Sequence, residues 1–138
     1  MRPKVLIVDD DPINIELLEG YLSKEYDILK AHDGNEAIII VEANPPDIIL
    51  LDIMMPGMNG YEVCKKLKDD PKTNHIPIVM VTALHETEDR NKAIEAGADD
   101  FITKPFDIIE LTLRVKSNLR TKLYYDTLLG NTSFHLHL

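Results

Sequence analysis

The chain holds a single cysteine, Cys64, so no disulfide can close within it. That suits a reducing compartment and predicts a cytoplasmic location. Positive charge is scarce too. Fifteen Lys and Arg stand against 24 Asp and Glu, a formal net charge of −9, so the attraction to phosphate backbones on which nucleic-acid binding rests is missing. No direct contact with nucleic acid is expected. Apolar runs such as residues 38–41 and 48–51 fall far short of the roughly 18 residues that cross a bilayer. At the start of the chain, residues 5–8 are too short an apolar stretch for a secretory leader. A soluble protein without membrane contact is therefore expected. What is present, 138 residues of which 44% are hydrophobic, is enough for one buried core and excludes a disordered tail.

Five short apolar segments, residues 5–8, 27–30, 47–51, 76–81 and 99–103, alternate with helix-length spacers. The first, third and fourth are unbroken blocks rich in Val, Ile and Leu, as expected of strands buried on both faces of a parallel sheet. The second and fifth are more polar and belong nearer the edges. Strand followed by helix, repeated, predicts a doubly wound α/β domain. Asp11-Pro12 supplies a capping carboxylate and a proline at the first helical position, and Gly97 follows Ala96 where a helix should stop. Residues 107–123 space Leu111, Val115, Leu119 and Leu123 four apart, predicting one long last helix with an apolar stripe. The domain is expected over residues 1–121, with residues 122–138 a helical extension, linker or appended tail. In the first helix Ile13, Ile15, Leu17, Leu18, Tyr21 and Leu22 spread over an arc of about 200°, wider than the roughly 100° that faces a sheet. The surplus fits either a docking partner or a second packing layer.

Ligands of open parallel sheets bind at the carboxyl ends of strands where the winding reverses. Asp9, Asp10 and Asp11 follow the first segment, Asp52 follows the third, Thr82 ends the fourth and Lys104 follows the fifth. In a sheet of order 2-1-3-4-5 the reversal falls between the first and third strands, which brings Asp9, Asp10 and Asp52 together. Three neighbouring carboxylates repel one another unless some are protonated or a cation sits among them. An all-oxygen donor set suits Mg²⁺ or Mn²⁺, whereas zinc would call for His or Cys. Lys104 adds a fixed positive charge and Thr82 a hydroxyl. Around a carboxylate nucleophile, these groups form a site for a transferred phosphoryl group. A turn or a helix cap explains each residue taken singly, and Asp11 before Pro12 is best read as that alone. Four polar groups at the ends of separate buried strands are not explained in this way.

Val-Asp-Asp at 8–10, Leu-Asp-Ile-Met-Met-Pro-Gly-Met-Asn-Gly at 51–60, Val-Thr-Ala at 81–83 and Lys-Pro-Phe at 104–106 together resemble the receiver domain of two-component response regulators. The resemblance covers about residues 3–121. It implies a five-stranded sheet of order 2-1-3-4-5 with a flavodoxin-like fold, an order the chemotaxis regulator of this family exemplifies. It further implies Asp52 as phosphoryl acceptor, with Asp9, Asp10, Asp52 and the backbone carbonyl of Met54 holding Mg²⁺. Thr82 and Lys104 would contact the phosphoryl group, Phe101 would turn inward on activation, and Lys104-Pro105 would be cis. Gly57 and Gly60 would allow the tight loop after the acceptor. The implied partner is a sensor histidine kinase, and the implied role is a switch that catalyses only its own phosphorylation and dephosphorylation. Met54 and Leu84, each two residues beyond a site residue, are apolar and predict a long-lived phosphorylated state.

The last helix, with Glu110, Arg114 and nearby Asp100, resembles the surface through which many response regulators dimerise, and such a homodimer should depend on phosphorylation. Residues 125–130 faintly resemble the start of a diguanylate cyclase domain, from which Leu129 departs. Either a C-terminal output domain in a longer parent or a single-domain regulator is compatible with that. The rival from another class is a haloacid-dehalogenase-like Mg²⁺ phosphatase using Asp9, since Asp9 and Asp11 form its Asp-x-Asp element. That family, however, expects Thr or Val where Pro12-Ile13 stands. Cys64 is read as core filler, and His135 and His137 as too isolated to bind metal.

Overall fold

The computed structural model describes residues 2–130. The β-branched and leucine-rich segments form strands β1 (Lys4–Val8), β2 (Asp27–Ala31), β3 (Ile48–Leu51), β4 (Ile78–Thr82) and β5 (Asp100–Thr103). Between and after them lie helices α1 (Pro12–Leu22), α2 (Gly34–Ala43), α3 (Gly60–Asp69), α4 (Thr87–Ala96) and α5 (Ile108–Leu129). All strand pairs are parallel, and the order is β2-β1-β3-β4-β5. The doubly wound sheet is thus the expected one, with the two more polar strands at its edges. Pleating sends alternate side chains to opposite faces. Leu6, Val8, Ile49, Leu51, Ile78, Met80 and Phe101 meet α2, α3 and α4, while Val5, Ile7, Ile48, Leu50, Val79, Val81 and Ile102 meet α1 and α5. The central strands are buried on both faces, so their sequences show no alternation.

Three strands, β3, β4 and β5, begin later than the sequence suggests: Asp99 stands outside β5 with its carboxylate accepting from the Ile78 N–H, and a side chain and a proline explain the other two. Asp47 stands outside β3 because its carboxylate accepts from the Lys4 backbone N–H at 2.8 Å. Pro77 has no N–H to give to the ladder, so β4 starts at Ile78, whose N–H donates to the Asp99 carboxylate at 2.8 Å. α1 starts as expected, with the Asp11 side chain accepting from the Ile13 N–H and Pro12 in the first turn, and α4 ends at Gly97. On α1, Ile15, Leu18 and Leu22 are buried whereas Ile13, Leu17 and Tyr21 are exposed. Ile15 therefore leaves the surplus apolar surface and joins the core.

The last helix corrects the expected stripe. It runs to Leu129, with Asp107 as N-cap and Gly130 as C-cap. Leu111 and Val115 are buried as predicted, Leu119 is partly buried, and Leu123 is exposed, its place taken by Lys122. The reason is geometric: each four-residue step overshoots a helical turn by about 40°, whereas three full turns return within about 20° after 11 residues. Lys122 is paired with Asp126 and lies 3.9 Å from Asp47, and the ring of Tyr125 stacks on His75 at 5.0 Å and 6°. These contacts anchor the helix beyond its apolar stripe. The region of residues 131–138, including His135 and His137, lies outside the described residues.

Cys64 is fully buried in the cluster on the α2–α4 face, and its Sγ lies 3.4 Å from the Ala96 carbonyl oxygen. Burial pushes the thiol up to about 12 from its usual 9.0. A disulfide reagent at pH 8 should therefore leave the native thiol unmodified and label it in urea. The unfolded thiol ionises at lower pH than the folded one, so this contribution to stability is complete below pH 9.0 and is lost as pH climbs towards about 12. Urea midpoints above pH 9.0 should consequently fall more steeply for the native protein than for Cys64→Ala.

Candidate functional site

The carboxyl ends of β1, β3, β4 and β5 open on one edge of the sheet, and the turns that follow them carry Asp9, Asp10, Asp52, Thr82 and Lys104. Backbone bonds hold these turns together: Asp52 N–H donates to the Val8 carbonyl at 3.0 Å, and Lys104 N–H to the Thr82 carbonyl at 2.7 Å. Ligand oxygens of Asp9, Asp10 and Asp52 lie within 4.8 Å of one another. Asp9 and Asp52 are buried, Asp10 is exposed, and the cluster opens to solvent on the Asp10 side. Asp11 is set apart from the cluster by its capping role, and its N–H donates to the Asp9 carboxylate at 2.9 Å.

Between the two buried carboxylates sits Lys104, whose Nζ is 2.9 Å from Asp9 Oδ2 and 3.1 Å from Asp52 Oδ2. Two like charges at such range repel by about 3–4 kcal/mol at an effective dielectric near 20, and the ammonium offsets that repulsion. Burial works against its charge, but hydrogen bonds and attraction from Asp9 and Asp52 win and raise its pKa above the ordinary lysine value. The peptide bond Lys104-Pro105 is cis, as the resemblance implies. Thr82 is fully buried, and its Oγ1 accepts from the Leu84 N–H at 3.3 Å, which leaves the hydroxyl proton to be donated.

The loop after β3 shapes the other wall. Met54 N–H donates to Asp52 Oδ1 at 3.3 Å, and a cavity of about 480 Å³ is lined by Asp10, Ile53, Met54, Met55, Pro56 and Asn59. Gly57 has φ +74°, in the left-handed region that favours glycine. Gly60 serves a different end. A Cβ there would stand 2.3 Å from the Asp52 carbonyl oxygen and 2.6 Å from Ile53 Cα, so only glycine lets α3 begin against the turn that follows β3. Asn59 caps that helix reciprocally with Glu62, a role the Asn-x-x-Glu spacing signals but the sequence reading above omits.

Phe101 is buried in the α2–α4 cluster, and the Arg90 guanidinium of α4 lies 4.9 Å above its ring. That partner carries no sequence signal, because a cation over an aromatic ring joins two elements at unrelated spacing. Arg114 pairs with Asp100 at 2.8 Å on the exposed side of α5, and Glu110 lies one turn before it on the same helix.

The donor set suits a hard divalent cation: three carboxylates, one of them open to water, and no His or Cys among them. The profile of the response regulator receiver domain matches residues 5–116. The chain is 50% identical over 129 residues to the response regulator PleD of Caulobacter vibrioides, an alignment covering 93% of this chain and 28% of that protein. It is also similar to the structure of a putative response regulator from Chloroflexus aurantiacus, with 38% identity, TM-score 0.83, and coverage of 87% of this chain and 99% of that one. The receiver domain of a signal transduction histidine kinase from Syntrophus aciditrophicus is 37% identical with TM-score 0.81, over 86% and 90% of the two chains. The chain therefore belongs to the response regulator receiver domain family of two-component systems, with the five-stranded flavodoxin-like fold of chemotaxis-regulator receivers. It spans little more than a quarter of the length of the curated relative.

Gly60→Ala should lower stability by about 1–3 kcal/mol, because the methyl meets backbone that cannot yield without moving the loop after β3. Urea denaturation at neutral pH measures the loss, with Gly20→Ala, which meets open space, as the reference.

Proposed function

We propose that this domain is a phosphorylation-dependent switch in which Asp52 accepts a phosphoryl group from a sensor histidine kinase. The observation that carries the proposal is the buried carboxylate of Asp52, bracketed by the Lys104 ammonium at 3.1 Å and by two further carboxylates within 4.8 Å. An Asp52 oxygen attacks the phosphorus of a phosphohistidine; the O–P bond forms, the N–P bond breaks, and its electron pair leaves with the imidazole. Asp9, Asp10, Asp52 and the Met54 carbonyl would hold Mg²⁺, and the same donors would accept Mn²⁺. When bound, the cation neutralises charge on the phosphoryl oxygens. Lys104 contributes the second positive charge, and the Thr82 hydroxyl donates to a phosphoryl oxygen. Water attack on phosphorus later restores the carboxylate and releases inorganic phosphate, so the protein catalyses only its own modification and its loss.

The phosphoryl group carries roughly −1.5 to −2 charge in place of the single charge of the Asp52 carboxylate, and it brings new acceptor oxygens beside Lys104 and Thr82. Thr82 is joined to β5 through the Lys104 backbone bond, and Phe101 on β5 is the packing element that responds, so a local charge change reaches β5, α4 and α5. The exposed Ile13, Leu17 and Tyr21 of α1 form the kinase-docking face, and a phosphorylation-dependent homodimer uses the α5 face around Arg114. Residues 1–121 form the signalling unit in this reading, and residues 122–138 lead on to a C-terminal output domain. A cytoplasmic location follows from that partner set, and no helix among the described residues is long and apolar enough to cross a membrane. Apolar Met54 and Leu84 give no side chain that would orient a hydrolytic water, so the phosphorylated state is long-lived.

Incubation with acetyl phosphate and Mg²⁺ should add one phosphoryl group to Asp52, seen by mass spectrometry and absent in Asp52→Asn or in EDTA. Continuous phosphatase turnover that disappears with Asp9→Asn would instead favour the haloacid-dehalogenase-like alternative. Replacing Ile13 and Leu17 with alanine should lower the rate of transfer from the kinase relative to the rate of loading from acetyl phosphate. An unchanged ratio would remove α1 as the docking face.

A further inference from the structure

Among the described methionines, Met55 and Met80 are buried and Met58 packs against the core, whereas Met54 is 62% exposed. Met54 stands two residues beyond Asp52 and lines the cavity that also holds Asp10 and Asn59. Its backbone N–H donates to the Asp52 carboxylate at 3.3 Å, so the Met54 backbone stays beside the acceptor whatever happens at sulfur. A solvent-facing thioether is open to two-electron oxidation, and the sulfoxide it forms is polar. The parent thioether accepts hydrogen bonds only weakly.

We propose that Met54 is a peroxide-sensitive modification site at the mouth of the acceptor cavity, and that its oxidation shortens the life of the phosphorylated domain. This rests on Asp52 being the acceptor. The sulfur lone pair attacks one oxygen of hydrogen peroxide; an S–O bond forms, the O–O bond breaks, and the departing hydroxide leaves as water with the proton released by the transferred oxygen. Sulfur is oxidised by two electrons and the peroxide is reduced. The new sulfoxide oxygen then accepts a hydrogen bond from a water in the cavity and aims that water at phosphorus, which neither the thioether nor Leu84 can do. Burial of Met55 and Met80 and the packing of Met58 against the core favour Met54 among the described methionines.

The test treats the full chain with hydrogen peroxide, quenches with catalase and divides the sample. Peptide mass spectrometry of one half should show Met54 oxidised ahead of Met55, Met58 and Met80. The other half is loaded with acetyl phosphate and Mg²⁺, freed of donor, and followed by intact mass. Loss of the phosphoryl group should be several-fold faster after oxidation, and a methionine sulfoxide reductase should restore the slow rate. In Met54→Leu the treated and untreated decays should coincide, and Met54→Gln should decay faster than the untreated native protein without any peroxide. Oxidation that prefers another methionine, or an unchanged decay with Met54 fully oxidised, would overturn the inference and leave the acceptor assignment standing. A native protein that never gains a phosphoryl group would remove the acceptor assignment, and this inference with it.

Discussion

One ammonium group lying between two buried carboxylates is the constraint around which this domain is arranged. Lys104 reaches Asp9 and Asp52 from the end of a different strand, and each contact is close enough for a charge-assisted hydrogen bond. Removing one member of such a set from a buried site leaves an uncompensated charge, which is why the turns after β1, β3 and β5 must keep their relative positions. The backbone bonds from Asp52 to Val8 and from Lys104 to Thr82 supply that rigidity without using the side chains. The peptide groups thus share the load of positioning with the carboxylates, which Lys104 and the Asp11 and Met54 N–H groups hold in place.

Below the site, the sheet separates two apolar layers whose members alternate along each central strand. This gives the polar edge a stiff foundation, and it puts Phe101 and Thr82 on adjacent strands that are paired by backbone hydrogen bonds. Arg90 over the Phe101 ring adds a contact from α4 to the same place.

Much of this was legible in the residues because the signals were local. Unbroken Val, Ile and Leu blocks marked β1, β3 and β4, and acids, a threonine and a lysine placed directly after strands marked the edge on which they meet. The resemblance carried by residues 51–60 and 104–106 supplied the roles. What escaped depended on contacts between distant segments. The start of β3 was shifted by a carboxylate answering the Lys4 N–H, and Arg90 reached Phe101 from another element. The stripe expected at a spacing of four turns outward at Leu123, because three helical turns close after about eleven residues and bring Lys122 inward instead. A lysine in an inward position breaks an apolar pattern but not a helix when Asp126 and Asp47 answer it.

That last helix has a mechanical side. With 22 residues it is about 33 Å long, and it is fastened at both ends of the sheet: near its start by Leu111 and Val115, and far down by Lys122 and the Tyr125–His75 stack. A rod clamped at two points cannot pivot freely about either. The clamped rod therefore fixes the direction in which its last turn points, up to the cap at Gly130.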